Sequence, residues 1–143
     1  INVGLIKLIG KKKTKASLQK SRPLHIKINA EVDLYIGKNN KQNDYVTFTL
    51  GGPRDLWFHT KNIPGSHVIM KGRPQESDMQ LAVQLAAYFS KAGAGSNVPV
   101  DCVERRYVKK PAGSKPGFVI FTNQRTYYTT PDKQLLAAYL PKD

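Results

Sequence analysis

The stretch DLWFHTKNIPGSHVIMK, residues 55–71, holds the side chains whose types and spacing could do chemistry. It contains the only tryptophan, two of the three histidines and a serine. Two histidines could hold a metal ion, and a serine with a histidine base could act as a nucleophile. An indole beside imidazoles could instead stack on the bases of a nucleic acid. The secondary structure that positions these side chains decides among the three.

The pattern of this stretch predicts a β-hairpin. DLWFHT and SHVIMK read as two strands, and KNIPG reads as the turn between them. Antiparallel pairing then sets His59 opposite His67. In the same register Trp57 lies opposite Ile69, so these four side chains share one face of the sheet. The other face is expected to be core, made of Leu56, Phe58, Val68 and Met70.

This geometry argues against two of the three chemistries. Ser66 and His67 are neighbours on a strand, so their side chains point to opposite faces and cannot form a nucleophile–base pair. Only Asp55 could add a metal ligand on the same side, and His25 is distant in sequence. We therefore expect no catalytic residue, no metal and no cofactor, and favour nucleotide recognition. For Trp57 the alternative is packing in the core.

The charge of the chain points to a polyanionic partner. The 143 residues include 23 Lys and Arg against 10 Asp and Glu, a formal net charge of +13. Such a surplus attracts nucleic acid first, with acidic membrane surfaces and sulfated glycans behind it. A merely solubilising surface is the alternative. A single cysteine, Cys102, excludes an intrachain disulfide and a thiolate zinc site. No apolar run approaches the roughly 20 residues of a membrane-spanning helix.

The periodicity predicts a single α+β domain, with a mostly antiparallel sheet, one main helix at about 76–92 and a short C-terminal helix. Ser77 or Asp78 is expected to cap the main helix, and Gly93 to end it. Pro131 is expected to start the closing helix. The predicted strands besides the hairpin are LHIKIN, VDLYIG, CVERRYVKK, GFVIFT and RTYYTT.

Residues 40–50 remain open between two structures. Asn43 or Asp44 could cap a short helix that ends at Gly51. The apolar residues of VTFTL also alternate as in a strand, so periodicity does not decide.

Three basic segments could hold phosphates. GKNNKQND combines lysines with turn-forming asparagines and could form an anion-binding nest. The run from ERRY through VKKPAGSKPGFV carries five cations on a strand and a Pro/Gly loop. Residues 1–23 carry a lysine-rich run without acids and are expected to be a basic linker in front of a folded domain at 24–143.

The sequence resembles a known family over about residues 32–131. The motifs YIGKNNKQNDYVTF, DLWFHTKNIPGSHVIMK and NVPVDCVERRYVKKPAGSKPGFVIFTNQRT are similar to the C-terminal RNA-binding (NFACT-R) region of the NFACT family. That family includes bacterial fibronectin-binding protein A, also called RqcH, and the eukaryotic NEMF-type proteins. Asn62 departs from the pattern, because many relatives are expected to have an acid there.

The resemblance implies an RNA-binding, non-catalytic module of a larger, cytoplasmic, ribosome-associated quality-control protein. Its expected partners are tRNA, the large ribosomal subunit and other domains of the parent NFACT protein, during template-free tailing of stalled chains. Residues 1–23 would then follow the coiled coil of that parent. The alternative is a surface adhesin that binds fibronectin or host glycans. The residues expected to contact RNA are Lys38, Asn39, Asn40, Gln42, Asn43, Trp57, His59, Lys61, His67, Arg105, Arg106, Lys109, Lys110 and Lys115.

Overall fold

Alternating apolar residues build a six-stranded antiparallel sheet in the computed structural model, which describes residues 22–141. Its strand order is β1-β2-β4-β3-β5-β8, and β6 and β7 form a separate two-stranded ribbon. The strands are β1 Leu24–Asn29, β2 Val32–Ile36, β3 Leu56–Thr60, β4 Val68–Gly72, β5 Val98–Glu104, β6 Val108–Lys109, β7 Ile120–Phe121 and β8 Arg125–Thr129. The predicted α+β class is confirmed. The linker predicted at residues 1–23 lies almost wholly outside the described residues.

Within residues 22–141, three α-helices accompany the sheet: α1 Asn40–Tyr45, α2 Glu76–Tyr88 and α3 Lys133–Leu136. The N-cap of α2 is Gln75, not Ser77 or Asp78. Asp78 instead accepts a hydrogen bond from the Gln75 backbone N–H at 2.9 Å, which is one half of a capping box. The helix ends at Tyr88, before the predicted Gly93.

Residues 40–50 are helical, so the strand alternative is wrong. Helix α1 continues into a π-helical turn, Val46–Leu50, that ends at Gly51. The N-cap is Asn39 rather than Asn43 or Asp44, because its side-chain oxygen accepts the Gln42 N–H at 2.9 Å. A cap four residues earlier than predicted draws the following residues into the helix.

The hairpin of β3 and β4 has the predicted register. Trp57 lies opposite Ile69, and Phe58 lies opposite Val68. The face with Phe58 and Val68 is core, as predicted, and it packs in the larger apolar cluster with α2. The opposite face of the sheet is also partly covered, by α1, the π-helical turn and the ribbon. We call it the ribbon face.

A second, smaller core lies under the ribbon. It consists of Val46, Trp57, Ile69, Val103 and Val108, with Phe121 packed against it. The Trp57 side chain is fully buried there. This position agrees with the packing alternative for Trp57 and leaves no indole face for a base.

The predicted strand CVERRYVKK is broken in two. Strand β5 begins earlier, at Val98, and ends at Glu104; a 3-10 turn, Arg105–Tyr107, then leads into β6. The turn follows because the Arg105 and Arg106 N–H groups donate to the carbonyls of Asp55 and Pro53, at 2.8 and 2.9 Å. This break carries the chain from the sheet to the ribbon. None of the helices in residues 22–141 has the length and apolar composition to cross a bilayer.

Candidate nucleic-acid interface

The GKNNKQN segment is bound by hydrogen bonds to His67, the residue that precedes strand β4. The Asn43 side-chain oxygen accepts the His67 N–H at 3.0 Å, and the Gly37 N–H donates to the His67 carbonyl at 3.1 Å. A Cβ at Gly37 would lie 2.1 Å from that same Asn43 oxygen. Glycine is therefore required here by close approach, which fixes this segment against the hairpin.

Residues 38–43 divide into buried and exposed members. Gln42 and Asn43 are buried, and the Gln42 side chain accepts the Lys38 N–H at 2.9 Å. These two amides hold the loop in shape and offer no surface to RNA. Lys38, Asn39 and Asn40 are exposed, so their surfaces are accessible to a ligand.

Beneath the ribbon a buried network joins the tryptophan to a histidine. The Trp57 indole N–H donates to the Thr47 hydroxyl at 3.1 Å, and that hydroxyl lies 2.9 Å from Nδ1 of His67. The two histidine rings meet edge to face with centroids 5.2 Å apart. His59 also stacks on Trp57 at 5.8 Å. The predicted cluster therefore exists, but most of it is interior.

Both histidines of the cluster are neutral near pH 7. The pKa of His67 is lowered from its usual 6.5 to about 3, mainly by burial and to a smaller extent by the nearby His59 and Lys110. A hydrogen bond with the Gly117 backbone acts in the opposite direction. Burial also lowers the pKa of His59, against hydrogen bonds to the backbone of Thr60 and Gly65. The rings can therefore donate and accept hydrogen bonds without bringing positive charge.

The Thr47–His67 contact has the form of a nucleophile and its base, but both side chains are buried. Thr47 and His67 are 0% and 2% exposed, so no substrate reaches the hydroxyl. Cys102 lies in the apolar cluster with α2, and burial raises the pKa of its thiol to about 12, so it stays protonated. In the described part of the chain no three His, Cys, Asp or Glu side chains gather as metal ligands.

The Pro/Gly loop between β6 and β7 is held against α1. Asp44 accepts the Gly117 N–H at 3.0 Å and pairs with Lys110 at 3.3 Å. The Lys110 ammonium also donates to the Phe118 carbonyl at 3.0 Å. Lys110 therefore serves the loop itself, whereas Lys109 and Lys115 are exposed.

The two arginines of the 3-10 turn contact rings of the ribbon face. Arg105 lies over Phe48, 5.7 Å from its centroid, and its Nε is buried without a partner. Arg106 is exposed, lies 4.7 Å over Tyr107 and pairs with Glu104 at 2.5 Å. Arg106 is the arginine of this pair that presents more surface to a ligand.

Positive charge is distributed unevenly over the domain. Helix α2, which covers one face of the sheet, has no Lys or Arg and has two acids, Glu76 and Asp78. The exposed or half-exposed cations around the ribbon face include Lys38, Lys41, Lys61, Arg106, Lys109 and Lys115. A polyanion is therefore attracted to the ribbon face more than to helix α2 itself.

A groove of about 360 Å³ opens between the hairpin and the ribbon. We call it the ribbon groove, and the residues of its lining that matter below are His59, Lys61, Asp101, Phe118, Phe121 and Gln124. Asp101 is buried; it accepts the Thr126 hydroxyl at 2.7 Å, and Lys61 lies 3.5 Å away. The groove thus combines rings, neutral imidazoles and one carboxylate.

Sequence reasoning missed Thr47, Asp101 and Phe118. Asp101 had a signal, since it is an acid inside the apolar run VPVDCV and faces His59 across the sheet. Phe118 had no such signal. Four successive residues of GFVIFT are apolar, so alternation does not show which of them face solvent. Thr47 could not be found without knowing that residues 40–50 are helical.

The fold has a solved counterpart. The C-terminal part of the fibronectin/fibrinogen-binding protein from Streptococcus suis is 39% identical and superposes with a TM-score of 0.77. The match covers 82% of this chain and 49% of that one.

Curated relatives match in sequence as well. The Rqc2 homolog RqcH of Bacillus subtilis (strain 168) is 50% identical over 100 residues, which is 69% of this chain and 18% of the relative. The RqcH protein of Streptococcus pneumoniae serotype 2 (strain D39) is 39% identical over 132 residues, 90% of this chain and 24% of the relative. The chain thus spans about a fifth of these relatives. Residues 24–115 match the family described as the NFACT protein RNA binding domain, and the chain belongs to that family.

Proposed function

We propose that the ribbon face binds RNA, as part of a ribosome quality-control protein of the RqcH type. The observation that carries the proposal is the uneven charge: cations surround the ribbon, while helix α2 has none. The family match supports the same partner, since it is to an RNA-binding domain. Within a whole cytoplasmic protein the bound RNA would be tRNA or large-subunit RNA during tailing of stalled chains.

The structure narrows the residues that we propose as contacts. Of the fourteen expected from the sequence, Gln42, Asn43, Trp57 and His67 are buried, and Lys110 holds the loop. We retain the nine others, and give most weight to the exposed charges of Lys38, Arg106, Lys109 and Lys115.

Salt-dependent binding of a tRNA to the domain tests the proposal. Replacing Lys109 and Lys115 together by Ala should weaken binding and reduce the slope of log affinity against log salt by roughly 0.7–0.9 for each phosphate that the variant no longer neutralises. The matched control replaces Arg73, which precedes α2, and Lys133, which lies on α3 beside α2; both are exposed, and the slope should be unchanged. If both double variants bind the tRNA equally weakly, then RNA binding depends on total charge and not on the ribbon face.

The buried tryptophan gives a second comparison. Trp57→Ala should lower the free energy of unfolding by about 3–5 kcal/mol, as expected for removal of a core aromatic. RNA binding should then fall only in proportion to the unfolded fraction. A folded Trp57→Ala domain with weak RNA binding would show instead that the indole contacts RNA.

We propose a non-catalytic role for this domain. Its hydroxyl–imidazole pair is sealed inside, and its only cysteine is a protonated core thiol. Elongation of a stalled chain would then depend on the ribosome. A measured turnover by the isolated domain that disappears on a surface substitution would overturn this.

A protein partner is the second candidate, because the solved counterpart is named for binding fibronectin and fibrinogen. The basic ribbon face could bind such proteins or acidic glycans through charge alone. Competition separates the two: fibronectin binding that survives high salt and excess tRNA indicates a specific protein site. Disappearance of fibronectin binding under both conditions indicates a side effect of the RNA-binding charge.

A further inference from the structure

The ribbon groove has the dimensions and the surfaces of a small ligand site. Its volume of about 360 Å³ lies at the lower end of the range for such sites, roughly 300–1,000 Å³. It opens on the ribbon face, between His59 on the hairpin and Phe121 on the ribbon. Any RNA held on the neighbouring lysines therefore passes beside it.

An exposed ring stands at the groove. Phe118 is 54% exposed, although it lies just before β7, whose Phe121 is packed on the second core. A large aromatic side chain in that position gains little for folding and offers a flat apolar surface. Stacking of an unpaired base on such a ring is the usual use of an aromatic residue on a basic, RNA-binding surface.

The polar groups of the groove favour a base over a phosphate. His59 and His67 are neutral, so neither supplies the positive charge that a phosphate needs. Asp101 places a carboxylate in the lining, where it can accept from N–H donors. Carboxylates recognise the exocyclic amino group of cytosine in the same way. Lys61 lies beside Asp101, where it could contact a flanking phosphate.

From these observations we infer that the ribbon groove binds one unpaired nucleobase that carries an exocyclic amino group, stacked on Phe118 and hydrogen-bonded to Asp101. The phosphates on either side lie on the lysines of the ribbon face. The inference rests on the proposed RNA binding and adds a specificity to it. The domain would then bind single-stranded RNA at bases that carry an amino group in preference to duplex RNA.

Short RNAs of matched length test the inference. Decamers of cytidine and of uridine differ at ring positions 3 and 4: cytidine has an acceptor nitrogen and an amino group, and uridine has an N–H and a carbonyl. A ten-base-pair duplex has no unpaired base. The wild-type domain should bind the cytidine decamer about 10-fold more tightly than the uridine decamer, and more tightly than the duplex. Phe118→Ala should weaken cytidine binding by about 5- to 100-fold with an unchanged salt slope.

Three variants make the result specific. Phe118→Trp should retain binding, because it keeps a ring. Leu135→Ala, which removes another exposed apolar side chain away from the groove, should have no effect. Asp101→Asn should reduce the preference for cytidine over uridine, and circular dichroism should show that this variant remains folded.

The outcomes separate this inference from the proposed function. Salt-dependent binding with equal affinity for cytidine, uridine and duplex would overturn the groove site and leave RNA binding intact. A single-strand preference without a cytidine preference would overturn the role of Asp101 and therefore the inference as stated. Absence of salt-dependent binding to any of these RNAs or to tRNA would overturn the proposed function itself.

Discussion

Replacing His67 by Gln should change how the stability of the domain depends on pH. His67 is 2% exposed, and burial holds its pKa near 3, against 6.5 in an unfolded chain. At a pH between these two pKa values, His67 is protonated in the unfolded chain and unprotonated in the folded chain. Stability is therefore full above pH 6.5 and falls as the pH decreases toward 3.

The magnitude follows from the two pKa values. One pKa unit corresponds to about 1.4 kcal/mol, so from pH 8 to pH 5 the His67 contribution lowers the free energy of unfolding by about 2 kcal/mol. His59, whose pKa is also lowered, acts in the same direction. In the His67→Gln variant, this pH-dependent loss of about 2 kcal/mol in the free energy of unfolding should disappear. The smaller loss due to His59 should remain.

Urea unfolding at pH 8, 6.5 and 5 measures this effect. Thr47→Val is the matched control, because it removes the partner of His67 and of the Trp57 indole but leaves the titrating ring. It should lower the free energy of unfolding by about 1–3 kcal/mol at every pH and keep the wild-type slope. If His67→Gln has the same pH dependence as the wild type, then His67 is not a buried neutral histidine and the reasoning fails.

Two further predictions concern the joints around α1. Gly37→Ala should lower the free energy of unfolding by about 2 kcal/mol or more, because the new Cβ would lie 2.1 Å from the Asn43 side-chain oxygen. The control is Gly95→Ala, whose new Cβ would have its nearest neighbour at 3.2 Å and which should cost less than about 1 kcal/mol. Equal destabilisation of both variants in urea unfolding would contradict the close approach of Gly37 to Asn43. Asp44→Ala, which removes both the acceptor for the Gly117 N–H and the ion pair with Lys110, should release the loop 110–118, seen as faster amide exchange there with little change in the sheet. Unchanged exchange in the loop would show that Asp44 does not anchor it.

The sequence by itself determined the α+β class with an antiparallel sheet and the pairing of the hairpin. Alternation with a period of two places Phe58 and Val68 on one face and Trp57 and Ile69 on the other, and a short turn leaves little freedom of register. The helix of residues 76–88 was equally readable, because its apolar spacing is long and regular. The surplus of Lys and Arg over Asp and Glu also indicated nucleic acid as the leading class of partner.

Only the tertiary structure decided which of the marked side chains reach solvent. Trp57 and His67 are polar or amphipathic residues in a plausible binding motif, and their burial depends on α1 and the ribbon folding over them. Contacts of this kind join residues far apart in sequence, so no local period records them. The ribbon groove arises in the same way, since Asp101 and Phe118 come together only when β5 and the ribbon pack beside the hairpin.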